Sequence, residues 1–372
     1  MPSLFSPIKV GPYSLKHRVV LAPLTRVRAT NAPGNVPQNP PMKEYYSQRG
    51  SVPGTLLITE ATFIAAKAGI YRHAPGIFSN EQIASWKEIT EAVHEKGSYI
   101  FLQLWALGRA ADVEALHAYD PSYPFVSSSD IPLSSKPDLR PRPLTIEEIK
   151  EYIQLYATAA SNAVHKAGFD GVEIHGANGY LIDQFTQDVS NKRTDEYGGS
   201  TLLERKGLAS GLGLGHHFKA SFAFMFPYIQ TSHLNVDMCM EDPIPTFSYL
   251  ASELKTRFPN FAYLHVIEAR VSGGNSTPDS KDGSNDFLRD IWLPKPFISA
   301  GNYDRDTAIK CAEQREGQMI AFGRHFIANP DLPRKLEKDI PLTPYDRSTF
   351  YLPGDTSGRG YTDYPFAEEA KF

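Results

Sequence analysis

The chain has 372 residues, of which 41% are hydrophobic, and its formal net charge of -4 goes with an isoelectric point near 6.3. This balance excludes the basic footprint that is typical of nucleic-acid binding, and no apolar stretch approaches the roughly 20 residues that a membrane-spanning helix needs. Because barrels of alternating strands and helices often exceed about 250 residues as one unit, a single domain over residues 1–372 is expected.

The N-terminus and the cysteines set further limits on the class of protein. Residues 1–11 lack a charged start followed by an apolar run, so a cytoplasmic protein is expected. The two cysteines, Cys239 and Cys311, form neither a disulfide framework nor a cluster with metal-ligand spacing. The adjacent His216 and His217 carry no other ligand pattern, so no metal site is predicted. Monomer and homodimer both stay open.

Apolar runs alternate with helical patterns through the first half of the chain. Prolines and glycines in residues 1–18 indicate a hairpin or cap. Four runs then follow that are typical of buried parallel strands: Val19–Leu24, Thr55–Ile64, Ser98–Leu107 and Gly171–His175. Helices are predicted over Asn80–Gly97 and from a capping box at Thr145 to Gly168. Residues 109–143 are rich in proline and irregular, which is typical of a functional loop.

The same alternation continues in the second half. Strands are predicted over Phe261–Val266, Pro296–Gly301 and Met319–Gly323, and helices over 243–258 and 304–317. The fifth strand is the unclear unit, and Ala223–Pro227 is its candidate. About eight strand–helix units indicate a parallel sheet closed into a (β/α)8 TIM barrel, with an N-terminal hairpin cap and long active-site loops.

A short polar sequence follows the fourth predicted strand. His175, Asn178 and Tyr180 lie at or just beyond its C-terminal end, where barrels of this class place their active sites. Two neutral hydrogen-bond donors side by side suit a carbonyl oxygen that becomes anionic, and a nearby phenol can deliver a proton. The alternative is a histidine with a structural role at the end of a strand.

The last two predicted strands end in glycine followed by a polar residue. Gly301–Asn302 and Gly323–Arg324 occupy the position where such barrels bind phosphate, because glycine lets backbone amides approach an anion and arginine offers a planar pair of donors. The alternative, equally open from spacing alone, is that the glycines end the strands and Arg324 faces solvent.

Several motifs, spread over most of the chain, resemble those of one known family. The stretch from His175 reads H-G-A-N-G-Y-L-I-D-Q-F, and S-N-K-R-T-D-E-Y-G-G-S follows it. Residues 22–26 read A-P-L-T-R, residues 54–60 read G-T-L-L-I-T-E, and residues 300–302 read A-G-N. Together these motifs closely resemble the old yellow enzyme family of FMN-dependent ene reductases, and in detail its fungal members.

The resemblance implies a role for each matching residue. The ring of FMN would contact Pro23, Leu24, Thr25, Ala61 and Gln103, and its phosphate would contact Gly301, Asn302, Gly323 and Arg324. An α,β-unsaturated ketone or aldehyde would be held through its carbonyl by His175 and Asn178, protonated by Tyr180, and enclosed by Trp105, Phe350 and Tyr351. NADPH would supply the hydride, so the expected activity is that of an NADPH dehydrogenase that reduces C=C bonds.

The segment 201–239 departs from the family pattern. It keeps the expected length, but four glycines (Gly207, Gly211, Gly213 and Gly215) fall where a helix is expected, and each costs about 1 kcal/mol relative to alanine there. Phe224 stands where the family has an arginine beside the flavin. A local reading-frame change in the coding sequence and genuine divergence are both open as explanations.

Two alternatives to an active ene reductase are open, and the first of them follows from this segment. The barrel could be catalytically impaired or free of flavin, or it could be a pathway-specific reductase or isomerase of fungal secondary metabolism. Tyr180 favours net reduction over isomerisation, because it provides the proton that reduction consumes.

Overall fold

Eight parallel strands form a closed barrel in a computed structural model that describes residues 1–198, 221–226, 237–238, 240–268, 271–272, 275–276 and 284–368. In chain order these strands are β1 (Val19–Leu21), β2 (Leu56–Ile58), β3 (Tyr99–Trp105), β4 (Gly171–His175), β5 (Ser221–Phe226), β6 (Tyr263–Ile267), β7 (Phe297–Ala300) and β8 (Gln318–Phe322). Each strand pairs with its neighbours in sequence, and β8 pairs with β1. The predicted (β/α)8 TIM barrel is confirmed.

Alternating strand residues build two apolar layers. Val20, Phe101 and Ile298 belong to a cluster made only of strand, strand-flanking and hairpin residues, which fills the barrel interior. Their neighbours, such as Val19 and Leu102, pack outward against helices. This separation follows from the two-residue period of a strand, because the sheet is covered on both faces.

An antiparallel hairpin closes the N-terminal end of the barrel. Ile8–Val10 pairs with Tyr13–Leu15, and Val10 and Leu15 join the interior cluster. The Tyr13 hydroxyl donates to the carbonyl of Asp170, directly before β4, at 2.9 Å. The predicted hairpin cap is confirmed, and the opposite end is left for the site.

The helices of the described part surround the barrel. They are α1 (Pro41–Arg49), α2 (Asn80–His94), α3 (Val113–Tyr119), α4 (Ile146–Ser161), α5 (Leu181–Thr186), α6 (Ile244–Arg257), α7 (Asp286–Trp292), α8 (Arg305–Gln314), α9 (Arg324–Ala328) and α10 (Leu332–Glu337). The predicted capping box opens α4, where Thr145 and Glu148 exchange side-chain to backbone hydrogen bonds of 2.8 and 3.2 Å. None of these helices has both the length and the apolar character needed to cross a membrane.

Short elements complete the described chain. They are 3-10 turns at Ser3–Phe5, Ala66–Ala68, Gly108–Ala110 and Arg347–Thr349, a π-helical turn at Asn162–Lys166, and two-residue strands at Thr62–Phe63, Val126–Ser127, Arg142–Pro143, Val271–Ser272 and Asn275–Ser276.

Two predicted elements differ from the structure. The second predicted strand, Thr55–Ile64, is divided into β2 and Thr62–Phe63, because the hydroxyls of Thr59 and Thr62 both donate to the carbonyl of Glu60 and bend the chain there. The long loop 109–143 is not wholly irregular. It contains α3, whose first turn is capped by the side chain of Asp112.

Candidate active site

His175 ends β4 and is buried in a neutral form. The pKa of the His175 imidazole is lowered to about 3, mainly by burial and to a smaller extent by the nearby His265. Its Nδ1 atom accepts the backbone N–H of Ala177 at 3.3 Å. Since a neutral imidazole carries one proton, this hydrogen bond assigns the proton to Nε2. His175 is therefore an uncharged hydrogen-bond donor at the C-terminal end of the barrel.

The chain turns sharply after β4 and returns as Tyr180. Asn178 and Gly179 are left-handed, with φ of 58° and 75°, a conformation that asparagine and glycine adopt most readily. The Tyr180 ring consequently lies 4.9 Å from the His175 ring, at an interplanar angle of 84°. Burial raises the pKa of the Tyr180 phenol, and the nearby phenols of Tyr71 and Tyr351 add to the effect. The phenol stays protonated at neutral pH.

Trp105 completes an aromatic cluster with these two residues. Its ring meets that of Tyr180 edge to face at 4.7 Å and lies 6.2 Å from the His175 ring. Trp105 also stacks on Phe63 at 5.0 Å. The structure thus brings Trp105, His175 and Tyr180 together from β3, β4 and the turn that leads into α5.

Phe350 and Tyr351 follow a 3-10 turn near the C-terminus. Phe350 is buried, whereas Tyr351 is 64% exposed. The phenol of Tyr351 adds to the raised pKa of the Tyr180 phenol. Phe350 is therefore a buried residue that lies against the Arg26 guanidinium, and Tyr351 is an exposed one.

Arg26, to which the sequence analysis gave no role, binds this C-terminal segment to β1. Its guanidinium donates to the carbonyls of Phe350 and Gly360 at 3.0 and 2.8 Å, and its backbone N–H donates to the carboxylate of Glu60 at 3.4 Å. Burial raises the pKa of Glu60 to about 7. The available signal was an arginine directly after A-P-L-T, at the end of an apolar run.

The residues predicted at the flavin ring follow or lie within the first three strands of the barrel. Pro23, Leu24 and Thr25 follow β1, Ala61 follows β2, and Gln103 is buried in β3. Gln103 Nε2 donates to Glu173 at 2.8 Å. Glu173 also contacts His265 Nδ1 at 3.0 Å, with both side chains fully buried. Glu173 and His265 were missed, although a polar residue inside a buried strand is a usable signal.

Strand β5 presents methionine to this interior. Met225 Sδ lies 3.4 Å from Gln103 Nε2. Phe224 packs in the outer apolar cluster, and its ring lies so close to Gly176 that a Cβ there would be 2.0 Å from Phe224 Cε1. The inward residue beside Gln103 is therefore Met225, and not Phe224 as the sequence comparison suggested, because the register of β5 turns Phe224 outward. The four glycines 207, 211, 213 and 215 lie outside the described residues.

The residues predicted at the phosphate meet at the ends of β7 and β8. The Arg324 guanidinium donates to Asn302 Oδ1 at 2.8 Å and to the Tyr345 hydroxyl at 3.4 Å. A Cβ at Gly323 would lie 3.1 Å from Leu24, and one at Gly301 would lie 2.7 Å from Glu268. Arg324, which is partly buried, thus connects the two strand ends beside their glycines.

These residues fit a flavin nucleotide at both of its ends. The strand-end glycines and Arg324 suit an anion. In the barrel interior, the buried Nε2 of His265 has no hydrogen-bond partner among the described residues, which is expected where a polar ligand binds, since buried polar groups are normally paired. The described residues contain no group of acidic, histidine or cysteine side chains that could hold a metal ion.

The sequence and the fold both match known proteins. The model of the NADH:flavin oxidoreductase / NADH oxidase family matches residues 3–206 and 226–343. The crystal structure of Old Yellow Enzyme from Pichia sp. AKU4542 superposes with a TM-score of 0.84 at 36% identity, covering 99% of this chain and 94% of that one. The chain belongs to the old yellow enzyme family. This family is FMN-dependent, and the chain is thus an oxidoreductase by family.

Fungal members of the family include similar proteins with different names. A chanoclavine-I aldehyde reductase of Penicillium roqueforti is 46% identical over 99% of this chain and 98% of its own length. An NADP-dependent oxidoreductase of Aspergillus flavus is also 46% identical, over 100% and 98%. A protein of Epichloe festucae var. lolii named "Probable inactive reductase" is 43% identical, over 99% and 96%.

The match to the old yellow enzyme family is interrupted at one place. Residues 207–225 fall between the two matched ranges, and they lie within the segment 201–239 that departs from the family motifs. Residues that match the family therefore bound this segment on both sides, and β5 begins inside the interruption.

Proposed function

We propose that this member of the old yellow enzyme family is an FMN-dependent reductase of the C=C bond in α,β-unsaturated ketones and aldehydes, with NADPH as the reductant. The observation that carries the proposal is the pairing of two neutral groups. His175 is held as an Nε2–H donor, and the protonated phenol of Tyr180 lies beside it. One group suits a carbonyl oxygen, and the other suits a carbon that gains a proton.

The chain's residues divide between the two ends of the cofactor. Pro23, Leu24, Thr25, Ala61 and Gln103 would contact its ring, and Gly301, Asn302, Gly323 and Arg324 would hold its phosphate. When bound, FMN would supply the hydride chemistry that connects NADPH to the substrate's β-carbon. The name of the Aspergillus flavus relative supports an NADP nucleotide as the source.

His175 and Asn178 would polarise the substrate carbonyl. As negative charge develops on its oxygen, a fixed donor stabilises the transition state more than the ground state. Because the imidazole is neutral and its Nδ1 is already engaged by Ala177, Nε2–H needs no reorganisation to donate. Removing one such donor typically costs about 3 to 4 kcal/mol of barrier.

Tyr180 would protonate the α-carbon. Its raised pKa keeps the proton in place until the substrate becomes basic. Trp105 and Phe350 would give the pocket apolar walls that exclude bulk water, and Tyr351 would lie at its exposed edge. The product would be the saturated ketone or aldehyde.

The alternative of an impaired or flavin-free barrel is favoured by a specific observation. Met225 occupies the interior beside Gln103, so β5 offers a thioether where a cation would bind the flavin. The interrupted family match and the name of the Epichloe relative point the same way. The coding sequence distinguishes a reading-frame change from genuine divergence as the origin of this segment. A second reading frame that encodes an arginine-containing strand at 207–225 identifies a frame change, and the absence of such a frame identifies divergence.

A pathway-specific reductase remains the third reading, supported by the name of the Penicillium relative. One experiment distinguishes the ene reductase, the impaired barrel and the pathway-specific reductase. The full-length protein is incubated with FMN, NADPH and 2-cyclohexen-1-one in D2O. The proposal expects cyclohexanone with deuterium at the α-carbon and protium at the β-carbon. No conversion of this enone, with conversion of larger enals, favours a pathway-specific enzyme. No conversion of any enone or enal contradicts the proposal.

A further inference from the structure

Two buried side chains of α5 turn back onto the residue between Asn178 and Tyr180. We propose that Asp183 and Gln184 are positioning residues, which fix the carbonyl donor Asn178 and the proton donor Tyr180 relative to each other. This inference rests on the proposed function for the roles of Asn178 and Tyr180. The contacts that carry it belong to the chain alone.

The two side chains hold both peptide units that flank Gly179. The Gly179 N–H, which belongs to the peptide bond from Asn178, donates to Asp183 Oδ2 at 2.8 Å. The Gly179 carbonyl, which belongs to the peptide bond to Tyr180, accepts from Gln184 Nε2 at 2.7 Å. Each peptide plane is therefore fixed by a side-chain hydrogen bond, and the second plane has in addition the bond from the Tyr180 N–H to the Ala177 carbonyl at 3.3 Å. The rotation between Asn178 and Tyr180 is thus restrained on both sides of the glycine.

The turn needs such restraint. Asn178 has φ of 58° and Gly179 has φ of 75°, and two successive left-handed residues are uncommon in a chain of L-amino acids. Glycine alone would leave the second position free to leave this conformation. The hydrogen bonds to Asp183 and Gln184 favour the one geometry in which the Tyr180 ring stays against His175 and Trp105.

Gln184 also connects this turn to the neighbouring strand. Its Nε2 donates a second time, to the Leu107 carbonyl at 2.9 Å, and its Oε1 accepts from the Arg109 N–H at 3.1 Å and the Ser127 hydroxyl at 2.8 Å. Leu107 lies just beyond β3, which carries Trp105. One amide thus fixes the end of β3 against the turn after β4.

Asp183 has its own support. Its Oδ1 accepts from Gln187 Nε2 at 2.8 Å, and neither Asp183 nor Gln184 is exposed to solvent. A carboxylate and an amide buried without exposure are costly unless every polar atom is paired. These contacts explain why two polar residues, the D-Q of H-G-A-N-G-Y-L-I-D-Q-F, occupy buried positions of the helix. Without such contacts, an apolar residue would suit these positions better.

The test compares five variants of the full-length protein with the wild type, the fifth being the conservative Asp183→Asn. Asp183→Leu and Gln184→Met remove the hydrogen bonds to Gly179 and keep the side-chain size. Ser127→Ala is a milder change that removes one partner of Gln184. Asn191→Leu is the matched control, because it removes two hydrogen bonds from a buried amide to the carbonyls of Phe185 and Tyr197, away from the turn.

Two measurements are made on each protein. The first is the kcat and KM for NADPH-dependent reduction of 2-cyclohexen-1-one. For Asp183→Leu and Gln184→Met we expect kcat to fall about 10-fold to 100-fold, as a displacement of about 1 Å produces, with a much smaller change in KM. For Ser127→Ala we expect a fall of a few-fold, and for Asn191→Leu an unchanged kcat.

The second measurement is amide hydrogen exchange in residues 176–181. We expect faster exchange in Asp183→Leu and Gln184→Met and wild-type exchange in Asn191→Leu. Asp183→Asn should restore both readouts, because its amide oxygen can still accept from Gly179 N–H while the Gln187 amide rotates to accept from the new NH2.

The outcomes separate this inference from the proposed function. An active wild type whose Asp183→Leu and Gln184→Met variants keep kcat overturns the positioning role and leaves the function standing. A wild type that reduces no enone overturns the proposed function. Amide hydrogen exchange then tests the turn by itself, because equal exchange rates in all variants would contradict its restraint by Asp183 and Gln184. If Asp183→Leu and Gln184→Met fail to fold, Ser127→Ala decides, since unchanged kcat and exchange in that variant overturn the inference.

Discussion

The substrate side and the cofactor side of the candidate site differ in how well their residues fit the proposed role. On the substrate side, β3, β4 and α5 hold His175 and Tyr180 with a network in which the side-chain amide of Gln184 alone has four partners. On the proposed cofactor side, β5 places Met225 beside Gln103 and lies where the family match is interrupted. The groups that would act on the substrate are complete, so the activity depends on how firmly this barrel binds its cofactor.

The largest effect is expected on the substrate side. His175→Ala should lower kcat/KM for an enone by about 10³-fold, because it removes a preorganised donor to the developing oxyanion. Steady-state kinetics with 2-cyclohexen-1-one measure this, and thermal unfolding of the variant controls for stability. A loss below tenfold would mean that the carbonyl is not bound by His175.

A smaller loss is expected from the proton donor. Tyr180→Phe should lower kcat by about 10²-fold, the low end for a positioned general acid, because water can replace a proton source more readily than an oriented dipole. The same assay run in H2O and D2O measures the contribution of the proton. The ranking is wrong if Tyr180→Phe proves more damaging than His175→Ala.

The fold could be predicted because each of its sequence signals lies within a single segment. The polar residues that pair in the site are distant from each other in the sequence. Apolar runs and the capping box of α4 lie within single segments, and His175, Asn178 and Tyr180 lie within one turn of each other. Glu173 contacts His265, 92 residues away, and Arg26 contacts Phe350, 324 residues away. No periodicity in a single sequence pairs residues so distant.

The inward residue of β5 shows the same limit. The sequence comparison put Phe224 in the place of the family's arginine, but a shift of one residue along a strand turns every side chain to the other face. The register that pairs Met225 with His175 and His265 decides the matter, and this register is a tertiary property.

An arginine introduced into β5 tests the cofactor side of this comparison. Met225→Arg should tighten FMN binding by about tenfold or more, because a hydrogen bond to a charged group contributes roughly 1.5 to 3 kcal/mol. Fluorescence titration of FMN into the full-length protein measures the Kd. Phe224→Arg is the control, and it should weaken binding or folding, since that residue faces the helices. Equal gains from both variants would contradict the register of β5.

Glu60, behind the cofactor side, is expected to affect the pH dependence of stability. Burial raises its pKa to about 7 in the folded protein, above the ordinary value near 4.3. The folded state therefore binds more protons than the unfolded state between these values, and this group's contribution to stability falls as pH rises from about 4.5 to 7. Glu60→Gln should raise the free energy of unfolding at pH 8 relative to pH 5 by about 2 to 3 kcal/mol compared with the wild type, since each pKa unit corresponds to about 1.36 kcal/mol.

Denaturant unfolding of both proteins at the two pH values measures this difference. An equal pH dependence in wild type and Glu60→Gln would show that Glu60 is ionised throughout in the folded protein, and that Arg26 offsets its burial.

The most direct test of the account is the visible absorption spectrum of the purified protein after incubation with FMN and removal of the excess. NADPH is then added without oxygen, and 2-cyclohexen-1-one after it. The account predicts a bound flavin band that bleaches with NADPH and returns with the enone. A protein that stays colourless, or a bleached band that the enone does not restore, contradicts it.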